Sequence, residues 1–384
     1  MSQPPKNAKN KNVNHLIGVS FAIDGRILAL GRESAATGKI MENFVSPVQA
    51  TAVDRLLADG AVLVDANIKS LRGAHHTVIA RSETTKQSSN KPGSPRYARD
   101  DTLVDSVVHG ATKFALGVDT GGSVLQSAAS GGVIGYKPTY GMISRYGVAT
   151  MTSSMDTIGV IASSIADIES ACQIMAGPDD RDSTLLNKED FNFDNVVKNT
   201  TSKIGVIREF VGGEGKTANQ LRKKLTEVKC SVSEISLNMA KYAQSIYWTL
   251  MPAEVSSNFM QYDGIRYGKR ADAKTLSEIY SRSRAEIFSD EMKQYILTGF
   301  YVLSSENFEK YYMQAMKART MLISELDKLF DRYDCLVCSA DSTEASMMAS
   351  LAGLPAMILP NGIQIIGPMK SDTKLLNFAR GIEQ

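Results

Sequence analysis

The run Gly117-Val118-Asp119-Thr120-Gly121-Gly122-Ser123-Val124-Leu125-Gln126-Ser127-Ala128-Ala129-Ser130-Gly131-Gly132-Val133-Ile134-Gly135-Tyr136-Lys137-Pro138-Thr139-Tyr140-Gly141 carries more information than any other part of the chain. Paired glycines let the backbone approach a reacting group closely. A serine immediately after them, ahead of a Leu/Ala-rich run, stands at a helix N-terminus with its hydroxyl presented. Such a turn can supply a nucleophile, Ser123, and oxyanion donors from the backbone around Thr120, Gly121 and Gly122. The plainer alternative is a serine that only caps the helix. The long flank, continuing through Ser144-Arg145-Tyr146-Gly147, favours the catalytic reading.

Working outward, the 384 residues with 43% hydrophobic content can bury a large core, as one big domain or two ordinary ones. A formal charge of +2 gives no electrostatic signature of a dedicated nucleic-acid binder, so any RNA would be held by a partner. No apolar run approaches the ~20 residues a membrane helix needs. Cys172, Cys230, Cys335 and Cys338 are too few and too scattered for a disulfide scaffold and suggest a reducing compartment. Cys335 and Cys338 have the spacing of a redox or metal pair, but their apolar run reads as a buried strand and the thiols as structural. His15, His75, His76 and His109 show no metal-motif spacing, and no metal site is expected.

Residues 1–14 are polar, carry Lys6, Lys9 and Lys11 without an acidic residue, and read as a disordered tail. They lack the apolar core of a signal peptide and the Arg-rich amphipathic character of a presequence, which points to the cytoplasm. Residues 16–23 read as a strand, Asp24-Gly25-Arg26 as a turn, 50–60 as a helix stopped by glycine and 61–64 as a short buried strand. This is the βαβ rhythm of an α/β fold. Further on, 164–175 reads as a helix capped by Ser164 and ending at Gly177-Pro178. Residues 203–207 and 232–237 read as strands, 218–228 as an amphipathic helix and 373–383 as a last helix.

The 117–147 run resembles the amidase signature family. Segments of the second half, Pro252-Ala253-Glu254-Val255-Ser256-Ser257-Asn258-Phe259, Tyr262-Asp263-Gly264-Ile265-Arg266-Tyr267-Gly268 and the stretch from Tyr311 to Thr320, are similar to the branch formed by A subunits of glutamyl-tRNA(Gln) amidotransferases. The resemblance covers residues 18–384 and is weakest at 70–110 and 340–350. It implies an α/β/α sandwich around a large mixed β-sheet, with residues 15–384 as a single amidase-like domain. It also implies release of ammonia from glutamine through an acyl-enzyme on Ser123, the ammonia converting Glu-tRNA(Gln) to Gln-tRNA(Gln). The implied partners are a B subunit, which would hold the tRNA, ATP and Mg²⁺, and a small C subunit; no cofactor is expected in this chain. The second half would line the glutamine pocket, with Tyr267 and Arg319 gripping the substrate, because a guanidinium fork donates two parallel hydrogen bonds to a carboxylate. The alternative for Arg319 is a solvated position on a long helix.

Two of the family's three catalytic positions are replaced. Matched without gaps from Gly18, the family's Gly-Ile-Pro-Ile-Ala-(Val/Ile)-Lys-Asp-Asn-Ile aligns Ala22, Ile23 and Ile27 and puts Asp24 where the lysine base belongs. Counting back from Ser123, the bridging serine held by a cis peptide falls on Arg99. A carboxylate with a reference pKa near ~3.9 is a weak base, and guanidinium has no acceptor. Ser88, Ser89 and Ser94 are nearby hydroxyls, the last in a proline-bracketed loop. Opposite in charge, Asp24 and Arg99 are expected to pair across the relay. Leu125 and Ser127 stand where the family has arginine and proline. The stretch 339–345 joins almost directly to 351–355, which reads as a shortened loop. Three readings stand: a glutamine-hydrolysing amidotransferase component, a catalytically inactive structural partner of the B subunit, and an independent amidase.

Overall fold

The strands, in chain order, are β1 (Ser20–Ile23), β2 (Val62–Leu63), β3 (Phe114–Asp119), β4 (Ile134–Lys137), β5 (Thr157–Ala162), β6 (Lys203–Ile207), β7 (Ser231–Ile235), β8 (Cys335–Ser339), β9 (Ala356–Ile358) and β10 (Ile363–Ile366). The computed structural model describes residues 15–34, 38–41, 43–65, 101–190, 203–211 and 230–382. Within them the strands form one sheet in the order β2-β1-β3-β5-β4-β9-β10-β8-β6-β7. The sheet is mixed. Its centre, from β3 through β5, β4, β9 and β10 to β8, is antiparallel, and both wings are parallel.

The helices are α1 (Thr51–Ala58), α2 (Asp101–Val108), α3 (Ser123–Gly131), α4 (Ile165–Met175), α5 (Ala243–Asn258), α6 (Leu276–Ile287), α7 (Asp290–Leu303), α8 (Met313–Phe330), α9 (Thr343–Leu351) and α10 (Asp372–Ile382). Strand alternation divides them into two layers. On β3, Phe114, Leu116 and Val118 enter a core shared with Leu56 of α1, Ile168 of α4 and Leu376 of α10, while Ala115 packs with Val104 of α2 and Ala128 of α3 on the opposite face. Farther along, Leu336, Ala356 and Ile366 join the layer of α5, α8 and α9. This is an α/β/α sandwich. Phe21 and Phe114, register partners on the parallel strands β1 and β3, stack with ring centroids 5.5 Å apart.

The β1-α1-β2 unit is a parallel βαβ crossover as its pattern implies. The first strand is shorter than its sequence pattern suggests, because Gly18 turns with φ +73° and donates its N–H to the Gly60 carbonyl. Ser164 caps α4 by accepting from the Asp167 amide. The 339–345 stretch leads from the end of β8 through a turn into α9, which is capped by Ser342, with Met347 and Met348 fully buried. Cys335 and Cys338 face opposite cores of β8, where burial pushes both thiols up from their ordinary range. Three apart on one strand, they cannot face each other. The 1–14 tail and the 218–228 helix lie outside the described residues.

Candidate active site

The site begins with a floor of missing side chains. Gly117 on β3 is the register partner of Gly159 on β5, and both lie under α3. A Cβ on Gly117 would stand 2.8 Å from Val124 Cγ2, and one on Gly159 3.0 Å from Val124 Cγ1. The absence of these atoms lets α3 settle close to the sheet and aims its N-terminus at the end of β3. Above the turn, a Cβ on Gly121 would meet the Tyr247 hydroxyl at 2.4 Å, and one on Gly122 the Ser346 Cβ at 2.3 Å. Gly122 is the helix N-cap residue, in the left-handed region at φ +104°, where an L side chain is strained.

Because Gly122 has no side chain, the capping comes from elsewhere. Asp119, the last residue of β3, faces α3 by the same alternation as Gly117. Its Oδ1 accepts from the Gly122 amide at 2.8 Å, and its Oδ2 from Val124 at 3.0 Å and Leu125 at 3.4 Å. Asp119 is fully buried, and burial raises its carboxyl above the ordinary range against the pull of Lys137 and the three amides. Lys137 is itself fully buried on β4 and donates to the Leu354 carbonyl. Burial pushes its amine down to about 8, opposed by Asp119 and Asp372.

Ser123 is the first residue of α3, and its Oγ donates to the Val118 carbonyl at 3.1 Å. The same carbonyl receives an Nη2 hydrogen of Arg26. Arg26 also donates through Nε to Asp24 Oδ2 at 3.3 Å and through Nη1 to Thr120 Oγ1 at 3.5 Å. Its side chain is 13% exposed and that of Asp24 19%. Burial works to lower the guanidinium pKa, but the carboxylates of Asp24, Asp156 and Asp119 outweigh it and hold the value up. Thr120 Oγ1 donates to Asp156 Oδ1 at 2.6 Å, tying the turn to the loop at 151–156. The Gly122 amide is engaged by Asp119, whereas those of Thr120, Gly121 and Ser123 have no acceptor among the described residues. These three are the amides able to serve an oxyanion.

Beyond the 151–156 loop lies a groove of about 370 Å³ lined in part by Tyr140, Ser153, Ser154, Glu254, Asn258 and Tyr312. Arg319 of α8 stands behind it, donating Nε to the Leu351 carbonyl at 2.7 Å, Nη1 to Ser154 Oγ at 2.9 Å and Nη2 to the Ser154 carbonyl at 3.3 Å. Its guanidinium, with a pKa lowered by burial, is therefore neither a solvated position nor a free fork. Tyr267 is 55% exposed in the 264–268 turn, where its carbonyl accepts from the Gly264 amide.

A family model described as Amidase matches residues 106–358. The chain belongs to the amidase family. It is 32% identical over 410 residues to the A subunit of the glutamyl-tRNA(Gln) amidotransferase of Symbiobacterium thermophilum, covering 97% of this chain and 84% of that protein. The crystal structure of the corresponding A subunit of the Thermotoga maritima glutamyl-tRNA(Gln) amidotransferase superposes with a TM-score of 0.69 at 26% identity, over 96% of this chain and 84% of that one. The peptide amidase of Stenotrophomonas maltophilia, at 20% identity and TM-score 0.67 over 96% of this chain and 82% of that one, shares the fold.

The turn has the serine, the glycine pair and the helix N-terminus expected from the sequence. Arg99 and the hydroxyls of Ser88, Ser89 and Ser94 lie outside the described residues, and so does the expected Asp24–Arg99 pair. Among the described residues Asp24 pairs with Arg26. Sequence reasoning missed Arg26, Asp119 and Lys137. A signal for the first was present: in Asp-Gly-Arg an aspartate readily bonds the backbone two residues on, and Arg26 N–H does donate to Asp24 Oδ1 at 2.9 Å. For Lys137, a cation closing an apolar strand beside a proline was the available mark.

Proposed function

We propose that this chain acts as the A-subunit-type component of a tRNA-dependent amidotransferase that supplies ammonia for converting Glu-tRNA(Gln) to Gln-tRNA(Gln). The observation that carries the reading is identity of 32% to the A subunit of a glutamyl-tRNA(Gln) amidotransferase across nearly the whole chain. In the hydrolytic form of this function Ser123 Oγ attacks the side-chain amide of glutamine. The amides of Thr120, Gly121 and Ser123, without an acceptor among the described residues, would serve the developing oxyanion; the serine proton passes to the departing nitrogen, ammonia leaves, and water resolves the acyl-enzyme. A partner B subunit, with a small C subunit, would hold the tRNA and use ATP and Mg²⁺ to activate its glutamyl carboxylate. A near-neutral chain is suited to leave RNA binding to that partner. We place the complex in the cytoplasm; among the described residues no helix is long and apolar enough to cross a membrane.

A second reading, that the chain is a structural partner of the B subunit without its own hydrolysis, is favoured by the hydroxyl of Ser123 donating to a backbone carbonyl rather than to a base. Co-expression with the cognate B subunit separates the two. Transamidation supported by both glutamine and free ammonia, with glutamine dependence lost in Ser123→Ala, is the result for a working glutaminase. Transamidation with ammonia alone is the result for the structural partner. Failure to assemble with the B subunit, and no transamidation from either source, would refute the functional reading.

A further inference from the structure

We infer that the Asp24–Arg26 pair fixes Ser123 as a structural hydroxyl, so that this site is held in a non-nucleophilic state. The inference deepens the second reading above, the A-type component without its own hydrolysis, against the hydrolytic form, and it rests on the functional reading only for the identity of Ser123 as the nucleophile position, not for any partner.

The carbonyl of Val118 is the pivot. It accepts from the Ser123 hydroxyl at 3.1 Å and also from the Arg26 guanidinium. A carbonyl oxygen takes a hydrogen bond but not the proton, so the serine faces an acceptor that cannot act as a base. Arg26 has no lone pair to offer either. The carboxylates around the turn are committed. Asp24 takes the Arg26 amide at 2.9 Å, the Arg26 Nε at 3.3 Å and the Val118 amide at 3.3 Å. Asp119 holds the three amides at the start of α3. Asp156 takes the hydroxyls of Thr120 and Thr152 and the amides of Met151 and Thr152.

The charges point the same way. Among the described residues, the turn that carries Ser123 is flanked by the carboxylates of Asp24, Asp119 and Asp156 against the buried cations Arg26 and Lys137. In a low-dielectric pocket that imbalance opposes a further negative charge. Arg26 is also held short: its backbone amide and its guanidinium are both anchored on Asp24, two residues back, so the fork cannot swing aside without giving up its ion pair. Arg26 is accordingly a positioning residue, acting on Ser123 through the shared carbonyl.

An alkyl fluorophosphonate tests this on the full-length chain. An activated serine oxygen forms an O–P bond as the P–F bond breaks, fluoride leaves, and the hydroxyl proton passes to a base. Followed by intact-mass spectrometry, the wild type is expected to take up label no faster than Ser123→Ala. The double variant Asp24→Lys with Arg26→Asn, checked for a cooperative melting transition, is expected to label at Ser123 at least tenfold faster, increasingly so as rising pH deprotonates the new amine. Ser123-dependent labelling of the wild type tenfold above the Ser123→Ala background would overturn the inference, and this arm needs no folded variant beyond the serine control. So would a folded double variant that labels only at background, since something other than the pair would then silence the serine. Loss of B-subunit assembly would strike at the functional reading and leave both labelling results standing.

Discussion

Gly122 shows how tightly single residues are constrained at the turn. Its φ of +104° costs an L residue roughly 1–2 kcal/mol, and an added Cβ would sit 2.3 Å from the Cβ of buried Ser346. Gly122→Ala should therefore lower stability by about 3 kcal/mol or more in urea unfolding, the steric part adding to the conformational part; a loss below about 1 kcal/mol would mean that α9 gives way easily. Lys137 makes a pH prediction. Its folded amine sits at about 8 against an ordinary value of 10.5, with burial as the cause. Below pH 8 both states are protonated and the cost of burying the charge is fully present. Between pH 8 and 10.5 the unfolded chain holds a proton that the folded chain has released, so this group makes stability rise with pH, by up to roughly 3 kcal/mol. Urea midpoints across that range should show the rise in the wild type and its loss in Lys137→Met. At this scale the Gly-Gly-Ser turn was legible because its long flank, through Ser144-Arg145-Tyr146-Gly147, set it apart from an ordinary capped helix start. The charges beneath it were not: Asp119 and Lys137 each stand alone in apolar runs, and only folding brings them together.

At the scale of the element, α3 is positioned by what surrounds its first turn more than by its own residues. Capping was legible where the cap is the residue adjoining the helix: Ser164 before α4 accepts from the Asp167 amide, as its placement implies. It was not legible for α3, whose N-cap residue is a glycine and whose acceptor is Asp119, reaching forward around the glycine pair to amides three to six residues on. Asp119→Ala removes three charge-assisted hydrogen bonds and leaves buried Lys137 facing one carboxylate fewer. The expected loss is about 3 kcal/mol or more, since each hydrogen bond to a charged group contributes about 1.5–3 kcal/mol. Asp119→Asn keeps an acceptor for one part of the turn and should lose less. Thermal unfolding of the two variants side by side checks the order; an Ala variant as stable as the Asn variant would show that the cap contributes little. No helix is legible at 343–351 from sequence: its helical signal is brief and lacks a polar face to set a period, and its burial against the turn is decided by distant residues.

Across the whole molecule, local pattern reached the βαβ unit and several strands, and the family resemblance the sandwich, but neither reached the strand order, because β9 lies between β4 and β10 through contacts made more than 200 residues apart. Arg319 belongs to this scale as well. Sequence similarity made it a candidate clamp for a substrate carboxylate; in the fold it ties α8 to the last carbonyl of α9 and to both oxygens of Ser154, whose hydroxyl and amide in turn donate to Glu254 of α5. Lysine at this position would keep the charge but lose the planar fork, since one ammonium cannot reach Leu351 and Ser154 with the same geometry. Hydrogen bonds from a charged donor contribute about 1.5–3 kcal/mol each, and one or more would be lost. Arg319→Lys is accordingly expected to lower stability by about 2–3 kcal/mol, seen as a lower urea midpoint at an unchanged m-value. A residue that only gripped substrate would behave in the opposite way, leaving the midpoint in place and weakening glutamine binding measured by calorimetry. Measuring both quantities on one preparation distinguishes a tie between layers from a clamp, and an unchanged midpoint would sink the structural role of Arg319.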